Sequence, residues 1–138
     1  MSTAVVNSSG VFDPTTGRGD LAGRVFLWFA SVSTVFAFGK GIVDSLAADD
    51  DRLFVEFWRM TSYFVFIAIF AVLALRPRRS PVIWEATFLA KSALVVFTAF
   101  AVDIPEAGMA LVADSMLVVC LIVGWFLSQG RESWRSAG

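Results

Sequence analysis

Four apolar stretches separated by short polar segments dominate the hydrophobic pattern of the chain. Each is long enough to cross a bilayer, because about 20 mostly apolar residues span the hydrocarbon core as a helix. The predicted spans cover residues 21–46, 53–75, 81–102 and 107–127. Residues 1–20 are polar and rich in turn-forming residues, and residues 129–138 form a short tail. The pattern predicts an all-α integral membrane four-helix bundle over residues 21–128, preceded by a flexible polar segment.

The arginines predict how this bundle is oriented. With four crossings, seven of the arginines fall on one side: Arg18, Arg24, Arg76, Arg78, Arg79, Arg131 and Arg135. The acidic run 49–51 falls on the other side, with Asp103 and Glu106. Because positive charge collects on the cytoplasmic side of membrane proteins, both termini are expected to be cytoplasmic. The usage of Ala, Val, Arg and Phe favours a bacterial plasma membrane protein.

Composition supports the membrane class and limits the chemistry. The chain is 57% hydrophobic and 17% charged, whereas soluble domains are about half apolar and about a quarter charged. A net charge of -1 argues against a nucleic-acid partner. The chain has no histidine and one cysteine, Cys120, which excludes an internal disulfide and any self-contained His-based haem, zinc or triad site. We therefore expect no metal and no cofactor, and any catalysis must use carboxylates, Lys, Arg, Tyr or hydroxyl groups.

Ionisable side chains lie inside every apolar stretch. A charge within a bilayer costs several kcal/mol unless it is paired or faces a polar cavity, so such residues are functional candidates. The candidates for catalytic residues are Lys40, Asp44, Glu56, Arg59, Tyr63, Glu85, Lys91 and Asp114. Helical spacing predicts that Lys40 pairs with Asp44. The same spacing places Thr87, Lys91 and Thr98 on one face of the third span.

Depth predicts which of these charges meet across helices. At about 1.5 Å of rise per residue, Lys91 lies about 16 Å and Asp114 about 12 Å from the same membrane face. A lysine side chain spans that difference, which predicts an interhelical pair between Lys91 and Asp114. Glu85 lies near the cytoplasmic face, where it is expected to meet Arg24 or the Arg76–Arg79 turn.

The remaining candidates occupy the non-cytoplasmic half of the bundle and balance in charge. Three cations and three carboxylates make up this set: Lys40, Arg59, Lys91, Asp44, Glu56 and Asp114. One interpretation is a structural ion-pair network, although a buried pair returns little more free energy than its desolvation costs. Charged side chains near helix ends also reach water by extending along the helix. Lys91 and Asp114 lie too deep for that explanation.

Three classes of function are compatible with this pattern. The first is a membrane enzyme that uses buried carboxylates and cations for acid–base chemistry on a lipophilic small molecule, as an isomerase, a cyclase or an epoxide-opening enzyme. The second is a transporter or channel, which would need at least a homodimer because four spans are few for a lone transporter. The third is an accessory subunit that docks on a membrane partner subunit.

Two short motifs also resemble a known family. Arg24 opens the first span and Gly39-Lys40 lies near its end, in a short chain with four spans and a polar centre. These features resemble the DoxX-like group of small bacterial membrane proteins. Members of that group have been linked to quinone-coupled sulfur oxidation and to membrane oxidoreductase complexes. The resemblance implies an accessory role in such a complex, with Lys40 as the residue carried over.

Overall fold

A computed structural model describes residues 12–135 of the chain. Over these residues the secondary structure is entirely helical. The helices are α1 (Arg18–Ala47), α2 (Asp50–Leu75), α3 (Pro81–Phe100), α4 (Ala107–Leu127) and the short α5 (Glu132–Arg135). Helices α1 to α4 are each long and apolar enough to cross a membrane. Most of the polar N-terminal segment predicted from the sequence, and the last residues of the tail, lie outside the described residues.

The observed helix ends differ from the predicted spans by at most three residues, and each difference has a local cause. Helix α2 begins at Asp50 rather than at residue 53, and Asp50 and Asp51 occupy its first turn, where a negative charge is favoured by the helix dipole. Helix α3 ends at Phe100 rather than at residue 102, because the amide of Ala101 donates to the carbonyl of Thr98 and closes a turn. Helix α1 begins at Arg18, inside the segment predicted to be flexible.

The four long helices form a ring. Helix α1 packs on α2 and α4, and α3 packs on α4, whereas α2 and α3 touch at few positions. Neighbouring helices run antiparallel, so that Arg24 near the start of α1 meets the carbonyl of Ala74 near the end of α2. The ring therefore has two ends. The α1–α2 end holds the α1–α2 and α3–α4 connections, and the α2–α3 end holds residues 12–17, the α2–α3 turn and α5.

A dry apolar layer fills the half of the ring nearer the α2–α3 end. Its fully buried members are Leu27, Phe70, Leu73, Trp84 and Leu121. Helices α1 and α4 approach closely here, because a Cβ atom on Gly124 would lie 2.8 Å from the side chain of Leu27. Small residues of this kind let helix backbones come together. The layer lies between the charged side chains at the α1–α2 end and those at the α2–α3 end.

Candidate functional site

The predicted pair between Lys91 and Asp114 is confirmed. Lys91 Nζ lies 2.7 Å from Asp114 Oδ1, and the two side chains are 4% and 13% exposed. Lys91 belongs to the buried face of α3 together with Thr87 and Thr98, as the helical spacing predicts. Its ammonium group also lies 4.0 Å from the ring centroid of Phe66 on α2, a distance at which a cation is attracted to the face of an aromatic ring. The pair therefore joins α3 to α4, while the ring contact joins α3 to α2.

A small cavity of about 90 Å³ lies beside this pair, and we call it the inner cavity. All four long helices contribute to its wall, with Ser33 from α1, Tyr63 from α2, Lys91 from α3 and Asp114 from α4. Among residues 12–135, the hydroxyl groups of Ser33 and Tyr63 have no hydrogen-bond partner, and Asp114 hydrogen-bonds through Oδ1 alone. The cavity thus brings together a carboxylate, an ammonium group and two hydroxyl groups with unused hydrogen-bonding capacity.

A second group of charges lies at the α1–α2 end, centred on Arg59. Its guanidinium lies 3.0 Å from Asp44 Oδ2 and 2.6 Å from Glu106 Oε2, and it also contacts Glu56. Lys40 Nζ lies 2.6 Å from Asp44 Oδ2, which confirms the pairing predicted within α1. The full set, which we call the Arg59 cluster, comprises Lys40, Asp44, Arg52, Glu56, Arg59 and Glu106. Arg59 thereby ties α2 to α1 and to the residue that precedes α4.

A larger cavity of about 380 Å³ lies between the Arg59 cluster and the inner cavity, and we call it the groove cavity. Lys40, Asp44, Arg59 and Glu106 line its polar end, while Phe36, Met109 and Ala110 form its apolar wall. It shares Ala37, Tyr63 and Ala113 with the inner cavity. The two charged groups predicted as candidates therefore lie beside adjoining cavities between α1, α2 and α4.

The expectation for Glu85 is wrong. Its carboxylate accepts a hydrogen bond of 2.8 Å from Trp134 Nε1 of α5 rather than meeting Arg24 or the Arg76–Arg79 turn. Glu85 follows the fully buried Trp84 by one residue, and one residue is about 100° of rotation on a helix. That rotation directs Glu85 to the outer surface. There it lines a largely apolar groove of about 650 Å³ that lies apart from the other candidates.

A buried charged network at the α2–α3 end was not predicted. Asp20 is 2% exposed in its side chain, accepts a hydrogen bond of 3.2 Å from Arg24 Nε, and forms an ion pair with Arg78 at 3.3 Å. Arg79 Nε lies 2.7 Å from Oδ1 of the buried Asp13. We call Asp13, Asp20, Arg24, Arg78 and Arg79 the Arg24 network. The sequence signal for this network is the spacing of four residues between Asp20 and Arg24, which places both on one helix face.

Glu106 is a second residue that the sequence did not single out. It had been assigned only to the non-cytoplasmic side, yet it accepts a hydrogen bond from Arg59, 47 positions away in the chain. This hydrogen bond lowers the pKa of the Glu106 carboxyl below its ordinary value of 4.5. Glu106 is thus ionised over the whole neutral range and stabilises the guanidinium at the open end of the groove cavity.

The donor set of this site is unsuited to a metal ion. Within residues 12–135 no three His, Cys, Asp or Glu side chains are placed so that they could hold a metal ion, and the carboxylates of the Arg59 cluster are each neutralised by a cation. Comparisons of the chain with protein-family models, curated proteins and solved structures found no match. The chemistry of the site itself is therefore the basis for a functional proposal.

Proposed function

We propose that the chain is a four-span protein of a bacterial plasma membrane with both termini in the cytoplasm. The outer surfaces of all four long helices support insertion, since they expose large apolar side chains such as Phe36, Trp58, Leu89 and Val112. A soluble monomer rarely exposes apolar patches of this extent. In a bilayer the same side chains face lipid.

The charges at the two ends support the proposed orientation. Seven carboxylates and three cations lie at the α1–α2 end, with carboxylates Asp44, Asp49, Asp50, Asp51, Glu56, Asp103 and Glu106. Seven arginines and four carboxylates lie at the α2–α3 end, with arginines Arg18, Arg24, Arg76, Arg78, Arg79, Arg131 and Arg135. The positive-inside rule places the arginine-rich end in the cytoplasm.

For the activity, we propose general acid–base catalysis on a lipophilic small molecule, of the isomerase, cyclase or epoxide-opening type. The observation that supports it is the adjoining pair of cavities, in which an ion pair and a tyrosine hydroxyl without a partner among residues 12–135 lie at the end of an apolar-walled groove. Ligand sites in proteins are commonly apolar clefts of about 300–1,000 Å³ that hold a few placed polar groups. The groove cavity, at about 380 Å³, falls in that range.

Each polar side chain of the site has a role in this proposal. Asp114 exchanges a proton with the substrate through the oxygen that Lys91 does not occupy. Lys91 keeps the carboxylate next to it charge-balanced, and the Tyr63 hydroxyl donates a hydrogen bond to oxygen where negative charge develops. Arg59, held by Asp44 and Glu56, fixes the polar end of the groove cavity beside Lys40. The lipophilic part of the substrate packs on Phe36 and Met109.

Native mass spectrometry of the protein in mild detergent tests this proposal. We expect a monomer that carries a lipophilic adduct, and we expect Asp114→Asn to change the adduct or to abolish its conversion. Asp50→Asn is the matched control, because Asp50 is an exposed residue in the first turn of α2. Equal and negligible effects of the two variants would refute a catalytic pocket at Asp114.

The same measurement separates the two alternative proposals. An empty, stable dimer or larger ring favours an oligomeric transporter or channel, in which the groove cavity forms part of a pathway between subunits. An empty monomer favours an accessory subunit of a membrane oxidoreductase complex, the role that the resemblance to DoxX-like proteins implies. In both cases the Lys91–Asp114 pair has a structural rather than a catalytic role.

A further inference from the structure

The inner cavity has the properties of a hydrated site. Its volume is about 90 Å³, whereas a buried water needs only about 10–15 Å³ of such space and two to four polar partners. Ser33 and Tyr63 supply hydroxyl groups with no partner among residues 12–135, and Asp114 supplies a second oxygen. Each of these groups would cost free energy if it were left without a hydrogen bond. Several water molecules satisfy all of them at once.

This space continues toward the α1–α2 end. The inner cavity adjoins the groove cavity through Ala37, Tyr63 and Ala113. The groove cavity in turn adjoins a third space of about 180 Å³ through Asp44, Arg59 and Glu106. That third space is also lined by Asp49, which lies in the α1–α2 connection. Polar side chains therefore accompany the path from the end of the bundle to Asp114.

The opposite direction is closed. Between the inner cavity and the α2–α3 end, the layer formed by Leu27, Phe70, Leu73, Trp84 and Leu121 has no exposed surface. Beyond that layer, Arg24 donates hydrogen bonds to the carbonyl groups of Asp13, Pro14 and Ala74. These hydrogen bonds hold residues 13 and 14 over the α2–α3 end of the ring. The buried apolar layer and the segment held over it thus close this end of the ring.

From this asymmetry we infer that the space around Asp114 is a water-filled inlet that opens toward the α1–α2 end and is closed toward the α2–α3 end. Water and small polar solutes reach Asp114 from that side, which is the non-cytoplasmic side in the proposed orientation. The inference rests on the membrane insertion proposed above and is independent of any enzymatic activity. The excess of carboxylates around the opening, seven against three cations, attracts positively charged solutes and repels negatively charged ones.

Labelling of single cysteines with membrane-impermeant methanethiosulfonates tests the inlet. The background variant is Cys120→Ala, because Cys120 is the free and buried thiol of the described chain. Ala113→Cys places a thiol where the groove cavity meets the inner cavity. Ala90→Cys is the matched control, since Ala90 is exposed on α3 beside Lys91 and lines neither cavity. Reagents are applied to intact cells that express each variant and to inside-out vesicles prepared from them.

We expect Ala113→Cys to be labelled in intact cells but not in inside-out vesicles, and Ala90→Cys to be labelled in neither. A trimethylammonium reagent should label Ala113→Cys about tenfold faster than a sulfonate reagent, because the opening concentrates cations. Glu106→Lys, added to the same background, should reduce this ratio. A membrane-permeant maleimide applied after detergent extraction checks that each thiol is present in folded protein.

Three results would overturn the inlet. Equal labelling from both sides contradicts the closed α2–α3 end, and labelling of neither preparation contradicts a hydrated path. Labelling in inside-out vesicles alone contradicts the proposed orientation. None of these outcomes depends on a substrate, so a failed inlet and a failed enzymatic proposal remain distinguishable.

Discussion

The Arg24 network and the Arg59 cluster use the same kinds of side chain in two different ways. Arg24 donates to backbone carbonyls of Asp13, Pro14 and Ala74 as well as to Asp20. Arg59 contacts only carboxylates, those of Asp44, Glu56 and Glu106. The first network is fastened to the main chain, whereas side chains of the second line two cavities.

This difference separates charges that hold a fold from charges that are available to a ligand. A guanidinium bound to backbone carbonyls cannot leave them without exposing buried polar groups, which is costly. A guanidinium bound to Asp44 and Glu106, whose side chains are 25% and 48% exposed, exchanges one of these carboxylates for another anion or for water at low cost. We therefore expect substitutions in the Arg24 network to act on stability, and substitutions around Arg59 to act mainly on what the groove cavity binds.

The largest expected effect on stability follows from Arg24→Ala. The arginine side chain is 11% exposed, and its loss leaves Asp20, which is 2% exposed, with Arg78 as its remaining cation and leaves buried backbone carbonyls without their donor. Removing one partner of a buried pair typically costs about 3–5 kcal/mol. We expect the thermal unfolding midpoint in detergent to fall steeply, whereas the control Arg18→Ala, at an exposed position of the same helix, should change it little. Equal midpoints for the two variants would contradict a structural role for this network.

Coupling between Lys91 and Asp114 should be the next largest effect. A double-mutant cycle with Lys91→Gln and Asp114→Asn should give a coupling free energy of about 0.5–3 kcal/mol, as found for residues in direct contact. The reason is that each single variant leaves one buried charge without its partner, and the double variant leaves none. Additive losses in the free energy of unfolding would show that the 2.7 Å contact does not stabilise the fold.

Arg59→Ala tests the difference between the Arg59 cluster and the Arg24 network. Lys40 still neutralises Asp44, and Arg52 still neutralises Glu56, so we expect a loss of only about 2 kcal/mol in stability. The adduct expected in native mass spectrometry should nevertheless disappear, because the polar end of the groove cavity loses its central cation. A loss of stability as large as that of Arg24→Ala, with the adduct retained, would reverse the roles assigned to the two regions.

The smallest effect concerns Glu106 and depends on pH. Because the Arg59 hydrogen bond lowers the pKa of Glu106 below 4.5, this carboxylate stabilises the fold above its unfolded-state pKa, and the contribution is lost as the pH falls through the folded-state pKa. At neutral pH, Glu106→Gln should be less stable than the natural chain by under about 1 kcal/mol, since the pair is partly exposed. This difference in stability should disappear at acidic pH. Asp103→Asn, in the same connection, is the control.

Features determined by helix geometry could be predicted from the sequence. Helix α4 has the predicted limits, and Lys91 meets Asp114 because helical rise alone sets their depths. Features that depend on helix rotation or on connections could not. Glu85 lies one residue beyond the buried face of α3, and Glu106 reaches Arg59 only because the α3–α4 connection folds over the α1–α2 end. No local pattern in the sequence encodes either arrangement.

The sparse contact between α2 and α3 also has a mechanical consequence. Lys91 and Asp114 lie on α3 and α4, on the same side of this seam, whereas Phe66 and Tyr63 lie on α2 across it. Widening the seam would move the aromatic side chains away from the ion pair without separating its charges. The ring can thus vary its internal width while its deepest charges stay neutralised, so a bulky guest could be admitted without an electrostatic barrier.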